Sequence, residues 1–91
     1  MKVCIIGVGY VGLVTGVCLA EIGHDVICVD NVESKIEKLN NGISPIYELW
    51  LERFIEKSMK SGKLNFTTNL KYGVEKGEII HTFITYNNLS I

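Results

Sequence analysis

The segment Gly7-Val8-Gly9-Tyr10-Val11-Gly12 constrains this chain more than any other, because it stands directly between a short apolar run and a long one. The run before it, KVCII over residues 2–6, is apolar with β-branched residues and ends at a glycine. That is the profile of a strand buried in a parallel sheet. Residues 10–22 are long enough for a helix and apolar on most sides, and Gly23 is placed to end it. DVICV over residues 25–29 predicts a second buried strand, closing at Asp30. Strand, glycine turn, helix and strand together make a βαβ unit of about 30 residues, the length this motif takes.

The alternation continues. Residues 32–40 predict a short helix with Val32, Ile36 and Leu39 on one face and Glu33, Lys35, Glu37 and Lys38 toward water. Asn40-Asn41-Gly42 then breaks the chain. Ser44-Pro45 predicts a helix opening, serine as cap and proline in the first turn. Tyr47, Trp50, Leu51, Phe54, Ile55, Ser58 and Met59 follow at helical spacing and read as a core stripe. Ser61-Gly62 ends that helix. Residues 64–66 predict a brief strand. Thr67 or Thr68 then caps a last helix of about two turns, and residues 78–84 form a further strand. Such alternation predicts an α/β fold, a parallel sheet with helices on both faces. The expected strand order is 3-2-1-4. This is a Rossmann-like arrangement, the first half only of a dinucleotide-binding domain, so residues 1–91 are expected to form one partial domain.

A GxGxxG pattern alone is weak. Here it follows a strand, opens a helix inside a βαβ unit, and is answered by an acid at the end of the second strand, which is the context a dinucleotide fingerprint requires. Gly7 permits the tight turn, Gly9 lets a pyrophosphate approach the backbone, and Gly12 lets the helix pack near the sheet. The start of the helix offers unpaired N–H groups and the positive end of its dipole. Val8 belongs to the same loop, and the N–H groups of Tyr10 and Val11 are within reach of phosphate, although their side chains can simply pack. Asp30 can accept hydrogen bonds from both ribose hydroxyls of an adenosine and would repel a 2′-phosphate, which favours NAD over NADP. Lys35 can lean over that ribose or stand as a plain solvated lysine. The expected cofactor site is therefore Gly7, Val8, Gly9, Tyr10, Val11, Gly12, Asp30 and Lys35, with NAD as the cofactor. Glycines that only shape a turn, and an acid that is only solvated, are the competing reading.

Composition removes other classes. With 47% hydrophobic and 21% charged residues the chain has material for a core, so disorder is not expected. A formal net charge of −1 gives no basic face for nucleic acid, and no cationic amphipathic stretch marks a membrane surface. The apolar N-terminus behind Lys2 imitates a signal peptide. Three glycines interrupt it and a polar helix end follows, so it reads as folded structure. No apolar run of about 18 residues exists to span a membrane. Cys4, Cys18 and Cys28 are odd in number, lie in apolar stretches and make no CxxC pair. They read as small buried hydrophobes in a reducing cytoplasm, with a metal site or reactive thiol as the alternative. His24 is expected at the surface in a turn, and His81, in the last strand, carries no chemistry. Neither a metal site nor a catalytic constellation is predicted.

The N-terminal 48 residues resemble the N-terminus of UDP-glucose 6-dehydrogenases, within the UDP-glucose/GDP-mannose dehydrogenase family, and the likeness resumes through SGKLNFTTNLKYGVEKGEII to about Ile80. GYVGLVTGVCLAEIGHDVICVD is specific to the group, and SPIYE leans toward the UDP-glucose branch. The resemblance implies a parent enzyme that oxidises the C6 alcohol of UDP-glucose to UDP-glucuronate with NAD, in two hydride transfers through a thiol-linked intermediate. It implies pyrophosphate at Gly7 to Gly12 and adenosine ribose at Asp30, and it adds weight to Lys35. Two departures stand out. The family carries Pro-Gly after the YE, where Leu49-Trp50 stand here and either continue a helix or bury a large ring. After Ile80 the family runs on to a Gly-Thr-Pro loop beside the nicotinamide, whereas residues 81–91 here diverge, as a frameshifted or truncated reading frame would. The family's catalytic cysteine, with its assisting lysine and asparagine, lies beyond this text, and no catalytic role is carried onto Cys4, Cys18 or Cys28. The chain alone is expected to be inactive, with UDP-glucose a partner only of a full-length parent. Alternatives are a non-catalytic remnant that self-associates through its exposed edge strand or pairs with an intact homologue, and a different Rossmann enzyme using FAD, against which the long match argues.

Overall fold

Strands that are apolar at consecutive positions have no face to offer water, so β1 (Lys2–Ile6) and β2 (Asp25–Val29) belong inside a sheet. A computed structural model, which describes residues 1–83, places them there. With β3 (Leu64–Thr67) and β4 (Ile79–Thr82) they form a four-stranded sheet in the order β3-β2-β1-β4, every pairing parallel. This is the expected order. The expected end of the last strand at residue 84, and most of the divergent stretch 81–91, lie outside the described residues.

Register decides which residues share a face. Val3 lies opposite Val26 and Ile5 opposite Cys28, while Val26 and Cys28 lie opposite Leu64 and Phe66. Side chains alternate along a strand, so these six point to one side. Helices α1 (Tyr10–Glu21), α2 (Glu33–Asn40) and α3 (Leu49–Lys60) bring Leu13, Val17, Ala20, Ile36, Leu39, Leu51 and Ile55 against them, and together they are the core. Each fully buried Leu or Ile here contributes about 1.5–3 kcal/mol. The opposite face is covered by α4 (Leu70–Lys76). It lies so close that a Cβ on Gly73 would stand 2.5 Å from Val29 Cγ2 and 3.1 Å from Cys4 Sγ.

Local departures from expectation have identifiable causes. The third helix opens at Leu49, not at Ser44-Pro45. The Ser44 hydroxyl accepts from the Ile46 N–H and donates to the Ile46 carbonyl, both at 3.0 Å, so it is consumed in a turn of its own. Tyr47 is consequently outside the helix and 95% exposed, and the buried stripe reduces to Leu51, Ile55 and Ser58, with Phe54 and Met59 partly buried. Leu49-Trp50 form the first turn of α3, and Trp50 meets Phe54 edge-on at 6.0 Å without being buried. Val32 is not a core partner of Ile36 and Leu39, because it is the N-cap of α2 and exposed. The cap of α4 is Asn69, whose side chain accepts from the Tyr72 N–H at 2.9 Å, while Thr67 instead receives the Asn69 N–H. Cys4 and Cys28 are buried as expected, but Cys18 is exposed on α1. His24 is half-buried, and its Nδ1 has no hydrogen-bond partner among the described residues. None of the described helices is long and apolar enough to cross a membrane.

Candidate cofactor site

Parallel strands deliver their carboxyl ends to one edge of the sheet, and the loops gathered there enclose a cleft of about 410 Å³. The glycine loop forms one wall. Gly7 has φ of +98°, the left-handed region that glycine tolerates, and its N–H donates to the Val29 carbonyl at 2.8 Å. The chain is thereby turned off β1 and held to the end of β2. The Val8 side chain is buried. Gly9 is the N-cap of α1 in an extended conformation, no side chain caps that helix, and no acid stands in its first turn. The first bond into the helix is Leu13 N–H to the Gly9 carbonyl at 2.9 Å. The N–H groups of Tyr10, Val11 and Gly12 therefore sit at the open, positive end of the helix, the environment that binds phosphate.

The three glycines differ in what the fold asks of them. A Cβ on Gly12 would fall 2.0 Å from the Gly7 carbonyl oxygen, so the helix can pass the loop only there. A Cβ on Gly9 would meet nothing within 4 Å, and its φ of −80° is open to any residue. The protein's own packing gives no reason for a glycine at position 9.

Asp30 follows β2 and forms the opposite wall. Its Oδ2 accepts from the Val8 N–H at 2.9 Å and lies 3.4 Å from Lys35 Nζ; its Oδ1 accepts from the Val32 N–H at 3.0 Å. The carboxylate is largely withdrawn from water, its side chain 11% exposed. That withdrawal pushes the carboxyl up, but the N–H groups of Val8 and Val32 and then the Lys35 charge outweigh it and hold the group below the usual aspartate range.

Of the expected residues, Gly7, Val8, Gly9, Asp30 and Lys35 line the cleft. Tyr10, Val11 and Gly12 do not line it, and the first two expose their side chains. Asn31, Val32, Thr68, Leu70 and Phe83 also line it and were not anticipated. The predicted order 3-2-1-4 carried the signal for them, since it sets the ends of β3 and β4 beside those of β2 and β1. Among the described residues no cluster of three or more metal-ligating side chains occurs.

A glycine turn between a parallel strand and an open helix N-terminus, faced by an ionised acid on the next strand at the carboxyl edge of the sheet, defines a Rossmann-like dinucleotide-binding domain. The site's chemistry fits such a ligand: bare backbone at Gly9 for a pyrophosphate, and a carboxylate where a ribose would lie. Residues 1–87 match the model of the UDP-glucose/GDP-mannose dehydrogenase family, NAD binding domain. The chain belongs to this family, as its NAD-binding domain, and its cofactor is NAD. The UDP-glucose 6-dehydrogenase of Rhizobium meliloti is 49% identical over 80 residues, covering 88% of this chain and 18% of that protein. A UDP-glucose 6-dehydrogenase of Bacillus subtilis gives the same figures. Among solved structures, a ternary complex of GDP-mannose dehydrogenase from Pseudomonas aeruginosa superposes with a TM-score of 0.89 at 38% identity, covering 93% of this chain and 20% of that one. The chain thus spans about a fifth of the length of the proteins it matches.

Proposed function

We propose that this chain is the cofactor-holding segment of a UDP-glucose 6-dehydrogenase, whose reaction is the NAD-dependent oxidation of UDP-glucose to UDP-glucuronate. The observation that carries the reading is Gly9: a glycine that neither packing nor backbone angle requires, at the start of a helix with no side-chain cap, is explained by a ligand that must touch backbone there. Bound NAD would supply the hydride acceptor. Gly7, Val8, Gly9, Tyr10, Val11 and Gly12 would hold its pyrophosphate, with Gly12 acting by bringing the helix in. Asp30 would receive the adenosine ribose, and Lys35 would lie over it. The UDP-glucose branch is favoured because the two curated relatives at 49% identity are UDP-glucose 6-dehydrogenases. Three unpaired thiols suit a reducing compartment, the cytoplasm.

Calorimetry on the chain with NAD and NADP tests the cofactor half of this. NAD should bind more tightly, by about 1–3 kcal/mol, since a 2′-phosphate would remove a ribose hydrogen bond to a charged acceptor and face that charge. Equal affinity would refute the assignment of Asp30. Joined to the remainder of a UDP-glucose 6-dehydrogenase in place of that enzyme's own first segment, the chain should support NADH formation from UDP-glucose, and a folded, NAD-binding chimera without that activity would refute the reading.

A second reading is favoured by β4. All four of its residues are exposed, Ile79 and Ile80 at 39% and 43%, and among the described residues it pairs on one side only. A half-paired strand that carries exposed isoleucines and no acidic, lysine or arginine side chain recruits another strand, so we infer self-association with a second copy. Light scattering during size-exclusion chromatography should show a dimer or larger species, and a monomer of 10.2 kDa would refute it.

A further inference from the structure

Resting on the reading of the cleft as a dinucleotide site, we propose that Asp30 is also the latch of the glycine loop, a positioning residue that holds Val8 and hence Gly9 in place for the pyrophosphate, separately from any contact it makes with a ribose.

The geometry has three parts. First, Gly7 and Val8 are both tied to the end of β2, but by different means. Gly7 uses its backbone, donating to the Val29 carbonyl at 2.8 Å. Gly7, at a φ of +98°, ends that pairing, and the next N–H, that of Val8, donates to the carboxylate of Asp30 at 2.9 Å. Without that oxygen the Val8 N–H would have no partner of comparable strength, because bonds to a charged acceptor are roughly twice as strong as neutral ones. Second, Asp30 is itself anchored on both sides. Its backbone N–H donates to the Thr67 carbonyl at 3.2 Å, and its other oxygen takes the Val32 N–H at 3.0 Å, at the N-cap of α2. One carboxylate therefore joins the β1–α1 loop to the β2–α2 loop, the two walls of the cleft. Third, the acceptor capacity is nearly used. A carboxylate offers about four lone-pair sites, and Val8, Val32 and Lys35 occupy three. A ribose hydroxyl can take the fourth. A second hydroxyl must displace a partner, and Lys35, the longest at 3.4 Å, is the one to yield. The two backbone bonds remain in the bound state, which separates latch from ribose contact. Lys35 is the only other charged side chain lining the cleft among the described residues.

The experiment uses two ligands that share a diphosphate but differ at the ribose: NAD, and 2′,3′-dideoxyadenosine diphosphate, which has no ribose hydroxyl for Asp30 to receive. On the 91-residue chain, Asp30→Ala should weaken both. For the dideoxy ligand the loss should be about tenfold, the order expected when one charge-assisted hydrogen bond stops holding its loop. Amide hydrogen exchange at Val8 should accelerate in step. An Asp30→Ala variant that loses only NAD, with the dideoxy affinity and Val8 exchange unchanged, would overturn the latch and leave the ribose contact standing. Failure of the wild-type chain to bind either ligand would overturn the cofactor reading instead, and the Val8 exchange would still decide the latch. Should the alanine variant not fold, an acid titration of the wild type by amide NMR replaces it. The Val8 and Val32 amide resonances should shift together with the Asp30 carboxyl, and a Val8 resonance that does not follow it would overturn the proposal.

Discussion

Substituting alanine at Gly12 and at Gly9 should separate the fold's demands from the ligand's. At Gly12 the new Cβ would lie 2.0 Å from the Gly7 carbonyl oxygen and 3.1 Å from its carbon. A carbon–oxygen contact needs about 3.3 Å, so helix and loop must part by roughly 1.3 Å on these figures. Both neighbours are backbone and no rotamer can absorb the shift. It must pass into Leu13 and Val17, fully buried against the sheet. Overpacking of this kind costs about 1–3 kcal/mol and occasionally more, and the backbone clash puts Gly12→Ala at the upper end, about 3 kcal/mol. A domain of this size has roughly 5–14 kcal/mol of stability in total. At Gly9 the new Cβ meets nothing within 4 Å and φ is ordinary. Gly9→Ala should therefore be close to neutral, because the stiffer unfolded chain favours alanine by about 0.4–1 kcal/mol and alanine's poorer fit at the N-cap of α1 opposes it by a similar amount. Its effect should appear in binding, since the methyl would stand at the backbone proposed to meet the pyrophosphate. Urea melts followed by circular dichroism give the stabilities, and calorimetry gives NAD affinity. A Gly9→Ala variant that is stable and binds NAD as the wild type does would refute the account of that loop. A Gly12→Ala variant as stable as wild type would refute the packing.

Three further outcomes follow from particular contacts. The Asp30 carboxyl is held below its ordinary range in the folded chain, so its contribution to stability is present above about pH 4, the unfolded value, and is lost as pH falls through the folded one. Between about pH 6 and pH 3 the wild type should lose more stability in urea than Asp30→Asn, and parallel losses would contradict this. Of the three thiols, Cys18 alone should react with an alkylating reagent in the native chain, because Cys4 and Cys28 are buried and burial pushes the thiols of both up; mass spectrometry showing native labelling of Cys28 would count against the core. Asn69→Ala should cost about 1 kcal/mol, the usual value of a helix cap, measured in the same melts, whereas Thr68→Ala should not affect the cap of α4.

The chain order of the elements and the topology of the sheet were legible because each depends on pattern over many residues. Four consecutive apolar residues before a GxG and four more before Asp30 leave no other place for β1 and β2 than the middle of a sheet. What stayed hidden depends on single hydrogen bonds. Ser44 looks like a cap by residue type, yet its hydroxyl closes on Ile46, and the helix waits until Leu49. Thr67, Thr68 and Asn69 are all cap formers in sequence, and the choice of Asn69 follows from β3 extending through Thr67. Cys18 sits in an apolar helix whose hydrophobicity is nearly uniform around its circumference, so residue type could not say which side faces water.

The site divides along the same line. Gly7, Gly12 and Asp30 could be placed from spacing, because a turn, a close crossing and a strand end each tolerate few residues. The partner of Asp30 could not. Its bond to Val8 forms at a turn where Gly7 takes a φ of +98°, and the path of that turn is invisible in a string of letters. The consequence is chemical. An acid read as a bare acceptor waiting for a ribose is already engaged by two backbone donors and a lysine, and the ionised form is favoured before any ligand arrives. If Asp30 takes the proposed ribose contact, discrimination against a 2′-phosphate would rest on a charge held by the Val8 and Val32 N–H groups, so substitutions at Gly7 that move the Val8 N–H should erode cofactor preference without touching Asp30 itself.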